Sequence, residues 1–126
     1  MTGELDGVLE TLIDKAEENL DVLIPAYTHL QRAQPILFSH WLIAYAEMFL
    51  RDRDRFHFAY TQADSMPLGC GAGTGNPFGL DRELMAKELG FSKLCRNCLD
   101  AVSDRDFLLD FCYAASVLQV HFSRLC

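Results

Sequence analysis

Basic side chains are scarce in this chain: 11 Lys and Arg stand against 18 Asp and Glu, a formal net charge of −7. A nucleic-acid surface needs clustered Lys and Arg to displace counterions. The densest basic run, Arg51, Arg53 and Arg55, is interleaved with Asp52 and Asp54 and reads as a solvated helix face, so no nucleic-acid partner is expected. No secretory leader is expected in residues 1 to 20, which are acidic and amphipathic where a leader is basic and then apolar. The five cysteines, Cys70, Cys95, Cys98, Cys112 and Cys126, are an odd number, and together these features point to a reducing cytoplasm. No apolar run suits a membrane span: Ile36 to Leu50 is short and carries His40 and Glu47. Alternating strand patterns and fixed-period repeats are absent. Cys95-Arg96-Asn97-Cys98 has C-x-x-C spacing but lacks a second pair, a nearby His or a βαβ context, which disfavours zinc or a redox motif. The glycine-rich segment Gly69 to Pro77 fits no dinucleotide fingerprint, since Thr74 occupies the third glycine position and no strand is expected before it, and it lacks the Gly-Lys-Ser/Thr ending of a phosphate loop.

What the chain has is apolar helical periodicity. Half of its residues are apolar and 23% are charged, the balance of an ordered globular chain. One domain of this size buries roughly two thirds of the surface its unfolded form exposes. Leu5, Val8, Leu9, Leu12, Ile13, Ala16 and Leu20 predict an amphipathic helix over 4–20, followed by a loop to Gln34. From Pro35 to about Ala63 no Gly or Pro intervenes, which predicts a helix of about 40 Å. Its first half is apolar on more than one side and needs several neighbours to enclose it. Asp81 is expected to cap a short helix that Gly90 stops. Ser103-Asp104-Arg105-Asp106 resembles a capping box for a last helix striped by Phe107, Leu108, Phe111, Cys112, Ala115, Leu118, Phe122 and Leu125. That stripe is still periodic at the final residue, which suggests a chain cut within a larger protein. The fold class is all-α. The expected organisation is one partial central helical domain over 1–126, with 1–66 carrying the first helix and the long helix, and 67–126 the glycine-rich loop, short helix and last helix.

The richest chemistry lies in Tyr27-Thr28-His29-Leu30-Gln31-Arg32-Ala33-Gln34-Pro35-Ile36, where hydroxyls, an imidazole, amides and a guanidinium precede the apolar run. With Pro35 in a first helical turn, the cluster sits at a helix mouth, where free N–H groups and the macrodipole favour a bound carboxylate. His29, beside Thr28 and close to Gln31 and Arg32, is placed to reach both solvent and ligand, although spacing alone leaves a bland reading open. His40, His57 and His121 lie within helices, where packing or exposure explains them better. Cys112 lies on an apolar stripe as a small core residue. Asp100, Asp104, Asp106 and Asp110 are better explained as caps and dipole partners than as paired catalytic carboxylates.

Four segments in order, Tyr27 to Ile36, Pro67 to Ala72, Asp81 to Leu84 and Leu99 to Phe107, closely resemble the argininosuccinate lyase family of the fumarase/aspartase superfamily. Arg32-Ala33-Gln34-Pro35 and Ser103-Asp104-Arg105-Asp106-Phe107 point to that branch within the superfamily. The resemblance implies a long-helix bundle segment and a carbon–nitrogen elimination that splits argininosuccinate into arginine and fumarate, a step of arginine biosynthesis and the urea cycle. Carried over by motif, Thr28 is a carboxylate-binding hydroxyl, His29 the acid/base histidine or its electrostatic equivalent, and Gln31 a neighbour that orients the pair. The resemblance further implies no cofactor and no metal, a small-molecule substrate, no membrane partner, and a homotetramer whose active sites each draw on three subunits. The family's serine-bearing signature loop and its N-terminal substrate-binding segment are not among these residues, so the segment is expected to be inactive alone. Departures are Ala26 where the family usually has Gly, Cys70 and Cys98 where it has Ser, and Gly73-Thr74-Gly75 within the loop. A non-catalytic helical assembly on the same scaffold, or another lyase of the superfamily, is the alternative.

Overall fold

The computed structural model describes residues 2–126. Helix α1 (Thr2–Glu17) is followed by an antiparallel hairpin of β1 (Leu23–Thr28) and β2 (Gln31–Leu37), and then by α2 (Phe38–Ala63). A two-residue strand β3 (Ser65–Met66), α3 (Arg82–Leu89), strand β4 (Lys93–Leu94), α4 (Cys98–Ser103) and α5 (Asp106–Leu125) complete the order. The mainly helical architecture expected from the periodicity is present. Two compact units divide the chain, one formed by residues up to Phe56 with Ala114–Cys126, the other by His57–Tyr113.

In the first unit α1 contributes Leu5, Leu9, Leu12 and Ala16, the i, i+4, i+7, i+11 stripe of one helix face. Opposite lie Leu42, Tyr45, Ala46, Phe49 and Phe56 of α2, and Ala114 of α5 with Leu118, Phe122 and Leu125 packed beside it. The Phe49 and Phe122 rings sit with centroids 4.8 Å apart, and the Tyr45 hydroxyl donates to the Arg124 carbonyl at 2.8 Å. Burying the large side chains of such a core contributes about 1.5–3 kcal/mol each.

Three expectations are corrected here. Residues 21–34 are not a loop and Pro35 does not open a helix: Pro35 lies in β2 opposite Pro25, and α2 starts at Phe38. Two prolines facing each other are tolerated because an isolated ribbon is all edge, so neither missing N–H breaks an interior ladder. The Arg51–Arg55 run is not wholly solvated either. Asp52 is 0% exposed, because it continues the face of Tyr45, Phe49 and Phe56, and its carboxylate takes His121 Nδ1 at 2.5 Å and Arg55 Nη1 at 2.9 Å. Cys112 is exposed rather than in the core.

In the second unit β3 and β4 pair in parallel, Ser65 with Lys93 and Met66 with Leu94. The glycine-rich loop therefore does follow a strand, one too short to leave an alternating pattern. Helix α3 begins as expected, with Asp81 Oδ1 accepting from the Leu84 N–H at 3.0 Å. It ends at Gly90, whose φ of 80° lets its own N–H and that of Phe91 return to the carbonyls of Lys87 and Ala86. Asn97 caps α4 by accepting from the N–H groups of Leu99 and Asp100. Ser103 spends its hydroxyl on the Leu99 carbonyl inside α4, so it is the Asp104 carboxylate that meets the Asp106 N–H at the start of α5. Repulsion from Asp104 raises the Asp106 carboxyl above the usual aspartate range.

Candidate functional site

The hairpin puts its chemistry at the turn. Thr28 pairs with Gln31, and the two residues between them, His29 and Leu30, both adopt left-handed φ values of 50° and 62°. Such a pair of angles belongs to the tight two-residue turn that matches strand twist, a turn that strongly prefers Asn and Gly. Each non-glycine residue held there costs about 1–2 kcal/mol. Leu30 is 93% exposed, so no packing of its side chain offsets that strain. A strained, exposed tip with an imidazole and a hydroxyl on it has the character of a ligand-binding turn.

Thr28, His29, Gln31, Arg32 and Gln34 are all exposed. Their side chains make no hydrogen bond among the described residues. Thr28 and Gln31, as a register pair, project from the same face of the ribbon, close enough for one to orient the other. The structure thus brings together the three site residues read from the sequence, Thr28, His29 and Gln31, on one turn. It removes the helix macrodipole from their surroundings: β2 separates the tip from α2 by seven residues, about 20 Å of extended chain. A dipole effect fades within the first turn of a helix, so charge at the tip must be met by the side chains themselves. Ala26, the departure that a positive φ would have strained, keeps φ negative and falls where the register shifts between Pro25 and Tyr27. The bulge supplies the irregularity without needing glycine.

The second unit holds a different polar centre that the sequence did not reveal. Arg82, the first residue of α3, donates from Nε to the Leu68 carbonyl at 2.8 Å and from Nη2 to the Cys95 carbonyl at 3.2 Å. One guanidinium fork therefore ties the glycine-rich loop to the segment after β4. The loop closes on itself as well: the N–H groups of Gly73 and Gly75 both reach the Cys70 carbonyl, and the Asn76 amide donates to the Gly69 carbonyl. An Arg directly after a capping Asp was the available signal, since the cap turns the start of α3 back onto the loop. A cleft of about 680 Å³ in this unit is lined by Lys93, Arg96, Asn97, Asp100 and Phe107, among others, and includes none of the three hairpin residues. Cys95 lies against Ser65, its Sγ 3.4 Å from the hydroxyl, and Cys98 opens α4. Burial pushes the Cys70 thiol above the usual cysteine range. The Asp64 carboxyl is held below the usual range by the hydrogen bonds of Ser92, whose N–H donates at 2.9 Å.

Known proteins match this chain along its length. It is 55% identical to argininosuccinate lyase of Syntrophotalea carbinolica over 96% of its residues, covering 26% of that protein. It is 52% identical to argininosuccinate lyase of Desulforamulus reducens over 97%, again covering 26%. The chain thus spans about a quarter of the length of the curated relatives it matches. Among solved structures, an EDDS lyase in complex with formate superposes with a TM-score of 0.95 at 30% identity, over 98% of this chain and 25% of that one. A class II fumarase from Schistosoma mansoni superposes at 0.88 over 98% of this chain and 30% of that one; at 20% identity it speaks for the fold alone. With the model of the family described as lyase matching residues 1–126 throughout, the chain belongs to the lyase family.

Proposed function

We propose that this chain is a central portion of an argininosuccinate lyase and contributes the Thr28–His29 turn to a composite active site. The observation that carries the reading is the exposed hairpin tip, where strain is held in place and three polar side chains are left without internal partners. Half identity to two argininosuccinate lyases supports the substrate class, and a solved EDDS lyase variant with bound fumarate supports an elimination that yields that product.

In this reading a base takes the proton from the carbon next to a substrate carboxylate, and the electron pair moves onto that carboxylate as the carbanion forms. The carbon–nitrogen bond then breaks, and an acid protonates the departing guanidino nitrogen. Thr28 donates its hydroxyl to a substrate carboxylate, and His29 serves as the proton-transfer or charge-balancing group. Gln31 holds Thr28 from across the turn. Further segments of the complete protein supply the remaining groups, so the segment alone is inactive. The complete lyase is a cytoplasmic homotetramer that needs neither metal nor cofactor; the unbridged thiols suit a reducing compartment, and apolar side chains left exposed on α2 and α5 suit burial against other subunits.

The test is a full-length lyase in which this segment replaces the matching portion of a relative, assayed by the ultraviolet absorbance of released fumarate. His29→Ala is expected to lower the rate by about 10²- to 10⁴-fold, and Thr28→Val to raise KM more than it lowers kcat. Undiminished turnover by the His29→Ala enzyme removes this turn from the mechanism.

A further inference from the structure

Four charged side chains of both signs line the cleft of the second unit, and none of them is in an ion pair among the described residues. Lys93 stands on β4, Arg96 lies just before α4, Asp100 is inside α4 and Asp104 follows it. The Arg96 guanidinium and the Asp100 carboxylate make no hydrogen bond among the described residues either. Lys93 gives one donor to the Thr61 carbonyl at 3.0 Å and keeps two for a ligand. Asp104 accepts the Asp106 N–H, yet its charge is left bare enough to raise the Asp106 carboxyl by repulsion. The neighbouring Arg105 does not neutralise it, because that guanidinium is turned onto the backbone carbonyls of Val102 and Asp104. Phe91 and Phe107, both half-buried, add apolar wall. A cleft of about 680 Å³ with a few convergent polar groups falls within the roughly 300–1,000 Å³ of small-molecule sites.

Spacing along α4 sets the order of these charges. Arg96, Asp100 and Asp104 are four apart and so follow one side of the helix a turn at a time, one cation and then two anions. The six residues of α4 rise about 9 Å between the outer two. We propose that this cleft binds an α-amino acid that carries a second cation at the end of a long unbranched side chain. Its carboxylate pairs with Arg96 and Lys93, its α-ammonium with Asp100 and its distal cation with Asp104, while the methylenes lie against Phe91 and Phe107. A carboxylate and its α-ammonium are close neighbours, as Arg96 and Asp100 are, and the distal cation then finds its anion one turn further on. An amino acid with an apolar side chain leaves Asp104 unmet, and a diamine without a carboxylate leaves Arg96 and Lys93 unmet. None of the hairpin residues lines this cleft, so it is a second site and not a part of the turn. The class of ligand stands on the cleft alone; that arginine is the member met by the complete enzyme rests on the reaction proposed above, which releases it.

Titration calorimetry of the complete lyase carrying this segment, with L-arginine as the probe, tests the site. Saturable binding is expected, weakened about tenfold or more in Arg96→Gln and in Asp104→Asn, because each removes one charge-assisted contact. Agmatine, which lacks the carboxylate, and L-norleucine, which lacks the distal cation, are expected to bind wild type more weakly by a similar factor. Both variants should fold: the Arg96 side chain is bonded to nothing, and an Asn at 104 keeps an oxygen for the Asp106 N–H. Unchanged fumarate release without added arginine confirms this, and Asp100→Asn gives a third reading of the same cleft. Absence of saturable binding, arginine binding that neither Arg96→Gln nor Asp104→Asn weakens, or norleucine binding as tight as arginine each overturns the proposal. Binding is read without turnover, so its failure leaves the lyase reading untouched, and a failure of that reading shows instead as absent fumarate.

Discussion

Asp52 shows how one position in a charged run can belong to the core. The surrounding Arg51, Arg53, Asp54 and Arg55 suggest a solvated stretch, but helical phase places Asp52 in line with Phe49 and Phe56, where it is completely buried. The charge alternation is legible in the sequence, but what sets Asp52 apart is its phase, three residues after Phe49 and seven after Tyr45 on the same helix face. The partner His121 sits 69 positions away, beyond any local pattern. A buried carboxylate persists only if paired, and removing one partner of a buried pair costs about 3–5 kcal/mol. His121→Leu leaves Asp52 with Arg55 alone and is expected to fall near about 3 kcal/mol, at the lower end of that range. The double change Asp52→Leu with His121→Leu is expected to be less destabilising than His121→Leu by itself, because no buried carboxylate is left short of a partner and the Arg55 guanidinium, partly exposed, can turn to water. Urea denaturation of the four proteins in the cycle measures both, and strictly additive losses would show that the contact carries no coupling.

At the scale of elements, what the sequence made plain were the helices with strong periodicity and the caps with unambiguous chemistry. Asp81 and Gly90 bound α3 as read. Of the expected stripes, Leu5, Leu9, Leu12 and Ala16 of α1 and Ala115, Leu118, Phe122 and Leu125 of α5 pack in or against the core, whereas Ile13, Leu20, Leu108, Phe111 and Cys112 are exposed and Ala114 is buried in their stead. The hairpin was hidden for a physical reason. Its strands lie in a two-stranded ribbon with little buried on either face, so no alternation was required of them, and its turn uses His29 and Leu30 where Asn-Gly is the recognisable signal. The candidate residues Thr28, His29 and Gln31 could therefore be picked out by type while their hairpin setting could not. In the glycine-rich loop the individual glycines differ in what they permit. A Cβ on Gly71 would meet the Gly75 carbonyl oxygen at 2.4 Å in a backbone with φ of +58°, whereas a Cβ on Gly75, at φ +81°, meets nothing within 4 Å. Gly71→Ala is thus expected to destabilise by about 2–3 kcal/mol, through strain plus a collision with backbone that cannot rotate away. Gly75→Ala should lose only the left-handed penalty of about 1–2 kcal/mol. Thermal denaturation of the two variants compares them, and equal shifts in Tm would mean that the loop relaxes around Gly71.

Across the whole molecule the apolar surface exceeds what the two small cores consume. Helix α5 packs Ala114, Leu118 and Phe122 yet leaves Leu109, Tyr113 and Val120 exposed, and α2 leaves Ile43, Phe58 and Tyr60 exposed. Helices apolar on more than one side are stable in water only when further helices cover them. This feature was legible in the sequence as an all-round greasy run, although the run could not say which side would face neighbours. No helix among the described residues is long and apolar enough to cross a membrane. On the proposal of a tetramer made above, the exposed stripes of α2 and α5 are covered by helices of other subunits. On that account the 126-residue segment by itself self-associates, and sedimentation velocity is expected to give a mass above the 14.3 kDa of one chain. Leu109→Glu and Val120→Glu each place a charge on an exposed stripe without touching a buried side chain. Together they are expected to shift the distribution towards monomer with the helical circular dichroism retained. A wild-type segment that sediments as a monomer at all concentrations would show that these stripes are tolerated by water, and the reading of α2 and α5 as bundle helices would fall.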